Sequence, residues 1–140
     1  MSVKNFALLS LLLFMTTNLP AAEVNLQEGR WETIVRVKVN GISFPAPFMT
    51  EKCITSDDLI PNSIANGGQC RIENIDVLGD DVSWTVHCDD AKGTMRGHGV
   101  ITYYGDKLKG AMEMTARDPE GNVVSESLYE MQGERKGGCE

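Results

Sequence analysis

Two cysteines, Cys70 and Cys88, stand almost symmetrically about Gly79-Asp80, and this symmetry constrains the fold more than any other feature of the chain. A Gly-Asp step between two apolar runs reads as a two-residue hairpin turn. A turn there sets Val77 opposite Val82 and Ile75 opposite Trp84. Continued strictly, the pairing would bring Arg71, not Cys70, opposite Cys88. One extra residue near Glu73-Asn74, a β-bulge, brings Ile72 opposite Val86 and Cys70 opposite Cys88. The same bulge keeps Cys70, Ile72, Ile75 and Val77 on one face, where a regular strand would turn the apolar residues over halfway along. Four cysteines allow three connectivities. The hairpin register selects Cys70–Cys88, which leaves Cys53–Cys139. No C-x-x-C pair and no Cys/His set at zinc-finger spacing occurs, so neither a redox-active pair nor a zinc site is indicated.

The cysteines imply an oxidising compartment, and the N-terminus supplies a route to one. Lys4 is the only charge before Glu23, and an apolar run from Phe6 to Met15 is broken only by Ser10. That run is half of the roughly 20 residues a spanning helix needs, so it reads as a secretory leader and not a permanent membrane anchor. Ala21 and Ala22 provide small residues for cleavage. The expected division is a signal peptide over residues 1–22 and a single exported β domain over 23–140, periplasmic or secreted. Without Lys4 the domain carries 12 basic against 20 acidic residues, a net charge of −8. Such a surface repels phosphate backbones and anionic lipid headgroups, which argues against nucleic-acid partners.

The rest of the chain reads as strands. Trp31, Thr33, Val35, Val37 and Val39 alternate with mostly polar residues, as in a half-buried strand. Pro45 and Pro47 exclude a central strand and mark an edge or extended loop. Thr50 to Ile54 reads as a short strand. Thr55-Ser56-Asp57-Asp58-Leu59 has the polar cap and acidic first turn of a short helix that Pro61 limits. A second hairpin turns at Gly105-Asp106, with Tyr103 facing Leu108, Ile101 facing Gly110, Gly99 facing Met112 and Gly97 facing Met114. Val123 to Gln132 forms a last strand. Inward glycines remove bulk where a sheet bends. The expected fold is therefore an all-β antiparallel meander, a strongly curved sheet forming a small barrel or compact sandwich, with one short helix and two disulfides.

The ordered set Gly29-Arg30-Trp31-Glu32, Cys53-Ile54-Thr55, Cys70 and Cys88 about a hairpin, Gly97-His98-Gly99-Val100-Ile101-Thr102-Tyr103-Tyr104-Gly105-Asp106, Gly110-Ala111-Met112-Glu113-Met114 and a glycine-rich tail ending in Cys139 resembles the bacterial domain-of-unknown-function family 3617. The resemblance covers nearly all of the exported part. It departs at Gly133-Glu134-Arg135-Lys136, where a more basic and apolar lead-in is expected. It implies export and disulfides, and no established activity or catalytic residues.

Candidate chemistry is sparse. Met95, Met112 and Met114 are expected on the inward face, with Trp31 and Tyr103 nearby. These five are the candidate ligand-facing residues, either around a small apolar ligand or, through the thioethers of Met112 and Met114, around Cu(I). Methionines filling an irregular core beside glycines are the plainer alternative. His98 is expected on the outer face, and His87 on the face opposite Cys88, so a Cys/His pair there is not formed. No G-x-S-x-G motif, EF-hand spacing or phosphate loop is present. The chain therefore reads as a non-enzymatic binding or accessory module of the cell envelope, without a cofactor or a metal-ligand motif. Its contrasting readings are a soft-metal handler and a structural partner of an envelope protein that uses an exposed edge near Pro45 and Pro47.

Overall fold

Strict alternation makes β1, Gly29–Val39, a strand that buries Trp31, Thr33, Val35 and Val37 on one face. The structure is a computed structural model and describes residues 23–61 and 69–140. The segment read as a signal peptide, residues 1–22, and residues 62–68 lie outside those residues. Asn40 and Gly41, both at positive φ, turn β1 tightly into β2, Ile42–Ser43. β3, Phe48–Ile54, returns beside β1 over seven unbroken pairs, from Val35↔Phe48 to Gly29↔Ile54. The two prolines fall between β2 and β3, where neither interrupts a ladder.

The first hairpin has the register that the cysteines require. β4, Cys70–Leu78, and β5, Asp81–Asp90, flank Gly79-Asp80, with Val77 opposite Val82, Ile72 opposite Val86 and Cys70 opposite Cys88. The bulge falls between Glu73 and Asp76, and Asn74 sits there at φ 51°. It leaves Ile75 out of the ladder and exposed instead of paired with Trp84. β6, Gly93–Tyr103, and β7, Lys107–Arg117, pair in the register the glycines suggest: Tyr103↔Leu108, Ile101↔Gly110, Gly99↔Met112 and Gly97↔Met114. β8, Val123–Gly137, is longer than expected and runs on through Gly133-Glu134-Arg135-Lys136, paired to both β7 and β1.

The strands form one eight-stranded antiparallel sheet in the order β2-β1-β8-β7-β6-β5-β4, with β3 beside β1 on the β2 side. In a flat sheet β1 and β6, three steps apart, would stand about 14 Å from each other. Instead the rings of Trp31 on β1 and Tyr103 on β6 meet edge to face at 5.8 Å between centroids. The Tyr103 hydroxyl donates to the carbonyl of Leu59, beyond the end of β3, at 2.5 Å. The sheet is therefore coiled about its own apolar face, which buries Trp84, Val82, Val86, Ile101, Leu108, Met112, Met114 and Met131 without a second sheet among the described residues.

Glycines make that coil possible. A Cβ on Gly99 would lie 2.3 Å from Cζ2 of Trp84, and one on Gly97 would lie 2.0 Å from Sδ of Met114. Gly110 and Gly133 likewise take Ile101 and Leu108. Each large side chain lies across the empty place of a glycine on the neighbouring strand.

Two expectations are corrected. The sheet does not close into a barrel or fold into a sandwich: among the described residues β3 and β4 exchange no ladder, and the bulge at Asn74 breaks the regular edge that β4 would need to offer. The helix read at Thr55–Leu59 is a tight turn, in which Thr55 and Asp58 bond to each other through their backbones. Lys52 reaches across this turn to Asp58 Oδ1 at 2.8 Å and to the Ile60 carbonyl at 2.9 Å, so the carbonyl and acid a helix would use are held by β3.

Gly99→Ala should destabilise the domain by about 1–3 kcal/mol through overpacking against Trp84. Gly138→Ala, with nothing within 4 Å of its added methyl, should be close to neutral, and urea unfolding of both variants measures the difference.

Candidate functional site

Three adjacent rows of side chains cross the inner face of the sheet. One runs Val86, Gly97, Met114, Ser127, Val39 and Ile42. The next runs Trp84, Gly99, Met112, Tyr129 and Val37 to Phe44, whose N–H donates to the Val37 carbonyl at 2.9 Å. The third runs Val82, Ile101, Gly110, Met131, Val35 and Phe48. In their centres the large residues are buried, apart from half-buried Tyr129. At the β2–β3 end Ile42, Phe44 and Phe48 remain 74%, 53% and 56% exposed. The apolar face extends one strand beyond the point where the coil covers it.

Pro45 and Pro47 are also exposed there, and no charge occurs from Gly41 to Thr50. The result is an open, uncharged apolar patch, a feature that in a monomer often marks a contact surface. Met49 adds an exposed thioether on the opposite face of the same strand, paired with Ile34. The prolines and the short strand signalled an edge; the Asn40-Gly41 turn would also have located β2, because both residues favour the positive φ of a two-residue hairpin.

The five inward candidates divide. Trp31, Tyr103 and Met112 are fully buried within one apolar cluster, and Met114 joins them with its Sδ over Gly97. Burial pushes the Tyr103 phenol well above its ordinary pKa, with nearby Asp58 adding to the effect. Met114 borders a surface cleft of about 310 Å3 with Lys38, Gly41 and Ser127. Met95 stands apart, 38% exposed, beside Cys88 in a cleft of about 220 Å3. The four cysteines form Cys70–Cys88 and Cys53–Cys139, with Cα separations of 4.0 and 5.6 Å. The second bridge joins the end of β3 to the tail beyond β8, and so clamps β1 between its two neighbours.

A family model described as Protein of unknown function (DUF3617) matches residues 26–139. The chain belongs to that family. The match takes in every strand of the sheet and all four cysteines. No curated protein and no solved structure matches the chain.

On the outer face of this DUF3617 domain four titratable groups of β4 and β5 bond one another. Arg71 donates to Glu73, to Asp89 and, at 2.9 Å, to Nδ1 of His87, whose Nε2 then donates to Asp89 at 3.0 Å. His98 is exposed on the same face, opposite Glu113. At one end of the coil the segment before β1 lies over the inner face. Gln27 and Asn25 bond the backbone of Gly105, and the Asn25 N–H donates to Asp80. Beside it Val24, Leu26, Leu59 and Val77, with Glu23, Glu28 and Ser56, line a cleft of about 440 Å3.

Glu28 accepts the Ser56 backbone N–H at 2.7 Å, and this bond holds its carboxyl below the usual range. A carboxyl whose pKa is lower folded than unfolded lends stability above its unfolded pKa and loses it as the pH falls through the folded value. The stability lost on acidification from about pH 5 to pH 2 should therefore be smaller for Glu28→Gln than for wild type, and the two stability curves should converge at the acid end.

Proposed function

We propose that this DUF3617 domain is an exported, non-enzymatic binding module of the cell envelope that holds a partner protein on the open apolar edge formed by β2 and β3. The observation that carries the reading is the continuation of the buried inner face into exposed Ile42, Phe44 and Phe48. Ile42, Phe44 and Phe48 are more than half exposed, so covering them would return about 1–2 kcal/mol each, and a partner surface supplies that burial.

Other features support the reading. Two disulfides suit an oxidising compartment, and the leader over residues 1–22 supplies the export route. The charge of −8 favours neutral or basic partners. Arg71, Glu73, His87 and Asp89 pair off on the outer surface instead of converging on a cleft where a substrate would react.

A photo-crosslinking residue in place of Phe48 should yield one discrete adduct in the envelope fraction, and the same residue at Lys109, on the outer face, should yield none. Adding Phe44→Lys should abolish the adduct while changing folding stability by less than about 0.5 kcal/mol, since Phe44 is exposed. Equal labelling from both positions, or none from Phe48, would remove the edge as the binding surface.

A further inference from the structure

The sheet has two terminal edges, and they differ. β4 carries the irregularities by which natural edges resist pairing: a bulge between Glu73 and Asp76, Asn74 at positive φ, and charged Arg71, Glu73 and Asp76 along it. β3 has neither a bulge nor a residue at positive φ, and carries two charges, Glu51 and Lys52, against the three of β4. Its seven pairs with β1 run without a register shift, its prolines stop one residue short of it, and no bulge twists it away. Its two charges are already engaged, Glu51 with Arg30 and Lys52 with Asp58. Among the described residues its outer edge has no strand partner. Among the described residues, the backbone donors and acceptors of that outer edge thus have no partner strand, and they run beside the exposed rings of Phe44 and Phe48.

We infer that the partner engages as a strand: an extended polypeptide segment adds to the outer edge of β3, with apolar side chains at alternate positions covering Phe48 and its neighbours on the inner face. The inference rests on the reading of this edge as the partner surface. Main-chain bonds to β3 supply affinity, and the alternating side chains supply register. The charge of the domain selects a neutral or basic segment. A second copy of this chain fits less well. Two-fold antiparallel pairing of β3 with itself places residues of the same face opposite each other, and a centre at Glu51 or Lys52 sets like charges together. Each copy would also bring a charge of −8.

The probe is a synthetic peptide with the sequence of residues 30–39, from Arg30 to Val39. It alternates apolar and polar residues, carries three basic residues against one acid, and copies the strand that β3 already pairs with on its other side. It is titrated into the full exported protein while hydrogen exchange is followed along the backbone. Saturable binding that slows exchange within Phe48–Ile54, is lost in Phe48→Lys, and weakens roughly tenfold or more when alternate peptide nitrogens are methylated is the expected result. Protection at Cys70–Leu78 instead, no binding at millimolar peptide, or a protein that already dimerises through a protected β3 would each overturn the strand-addition inference. Equal binding by the methylated peptide, with Phe48 still forming its crosslink, would overturn strand addition and leave the apolar-edge reading standing.

Discussion

The fold depends on one contact, the indole of Trp84 lying over Gly99. A single sheet with no covering layer can bury an apolar face only by bending around it. Side chains of ordinary size on every inward position would keep neighbouring strands from bending so far. Glycine at 97, 99, 110 and 133 clears space one strand away from Met114, Trp84, Ile101 and Leu108, and each large side chain lies in the gap. The bend brings Trp31 onto Tyr103 and Tyr103 onto the Leu59 carbonyl, so contacts between distant strands follow from contacts between adjacent ones.

Most of this local geometry was legible in the sequence because it is written in short range. The Cys70–Cys88 pair, Gly79-Asp80 and the apolar order of β4 together point to a bulged register, and the ladder has it except at Ile75, which the bulge leaves unpaired with Trp84. The second hairpin was readable for the same reason: Gly105-Asp106 sets the turn and period-two alternation sets the faces. Properties that emerge over many strands were not legible. Whether a coiled sheet closes depends on the sum of its bends and on both edges, so no local pattern distinguishes barrel from open coil. The turn at Thr55–Asp58 failed as a helix because Lys52, far enough away to belong to another element, holds Asp58 and Ile60. The candidate site was half legible: Pro45 and Pro47 announced an edge, but the exposure of Phe44 and Phe48 depends on where the coil ends.

Stopping short of closure gives the two sides of the domain different roles. The interior is filled by its own side chains, with Met112, Met114 and Met131 fitted among the aromatic rings. On the outer face Arg71, Glu73, His87 and Asp89 pair locally. The β2–β3 margin is neither filled nor satisfied, and the Cys53–Cys139 bridge, which fastens the end of β3 and the tail beyond β8 on either side of β1, holds this margin in place. A rigid, open margin can receive a partner at low entropic cost, because its own strand is already ordered.

The most direct test is residue-resolved amide hydrogen exchange on the free, oxidised domain. The account predicts alternation along β3: amides bonded to β1 exchange slowly and those on the outer edge exchange near the rate of open chain, while β7 and β8, paired on both sides, are protected at nearly every residue. Uniform protection along β3 would mean that another strand covers its outer edge, which would contradict an open apolar edge.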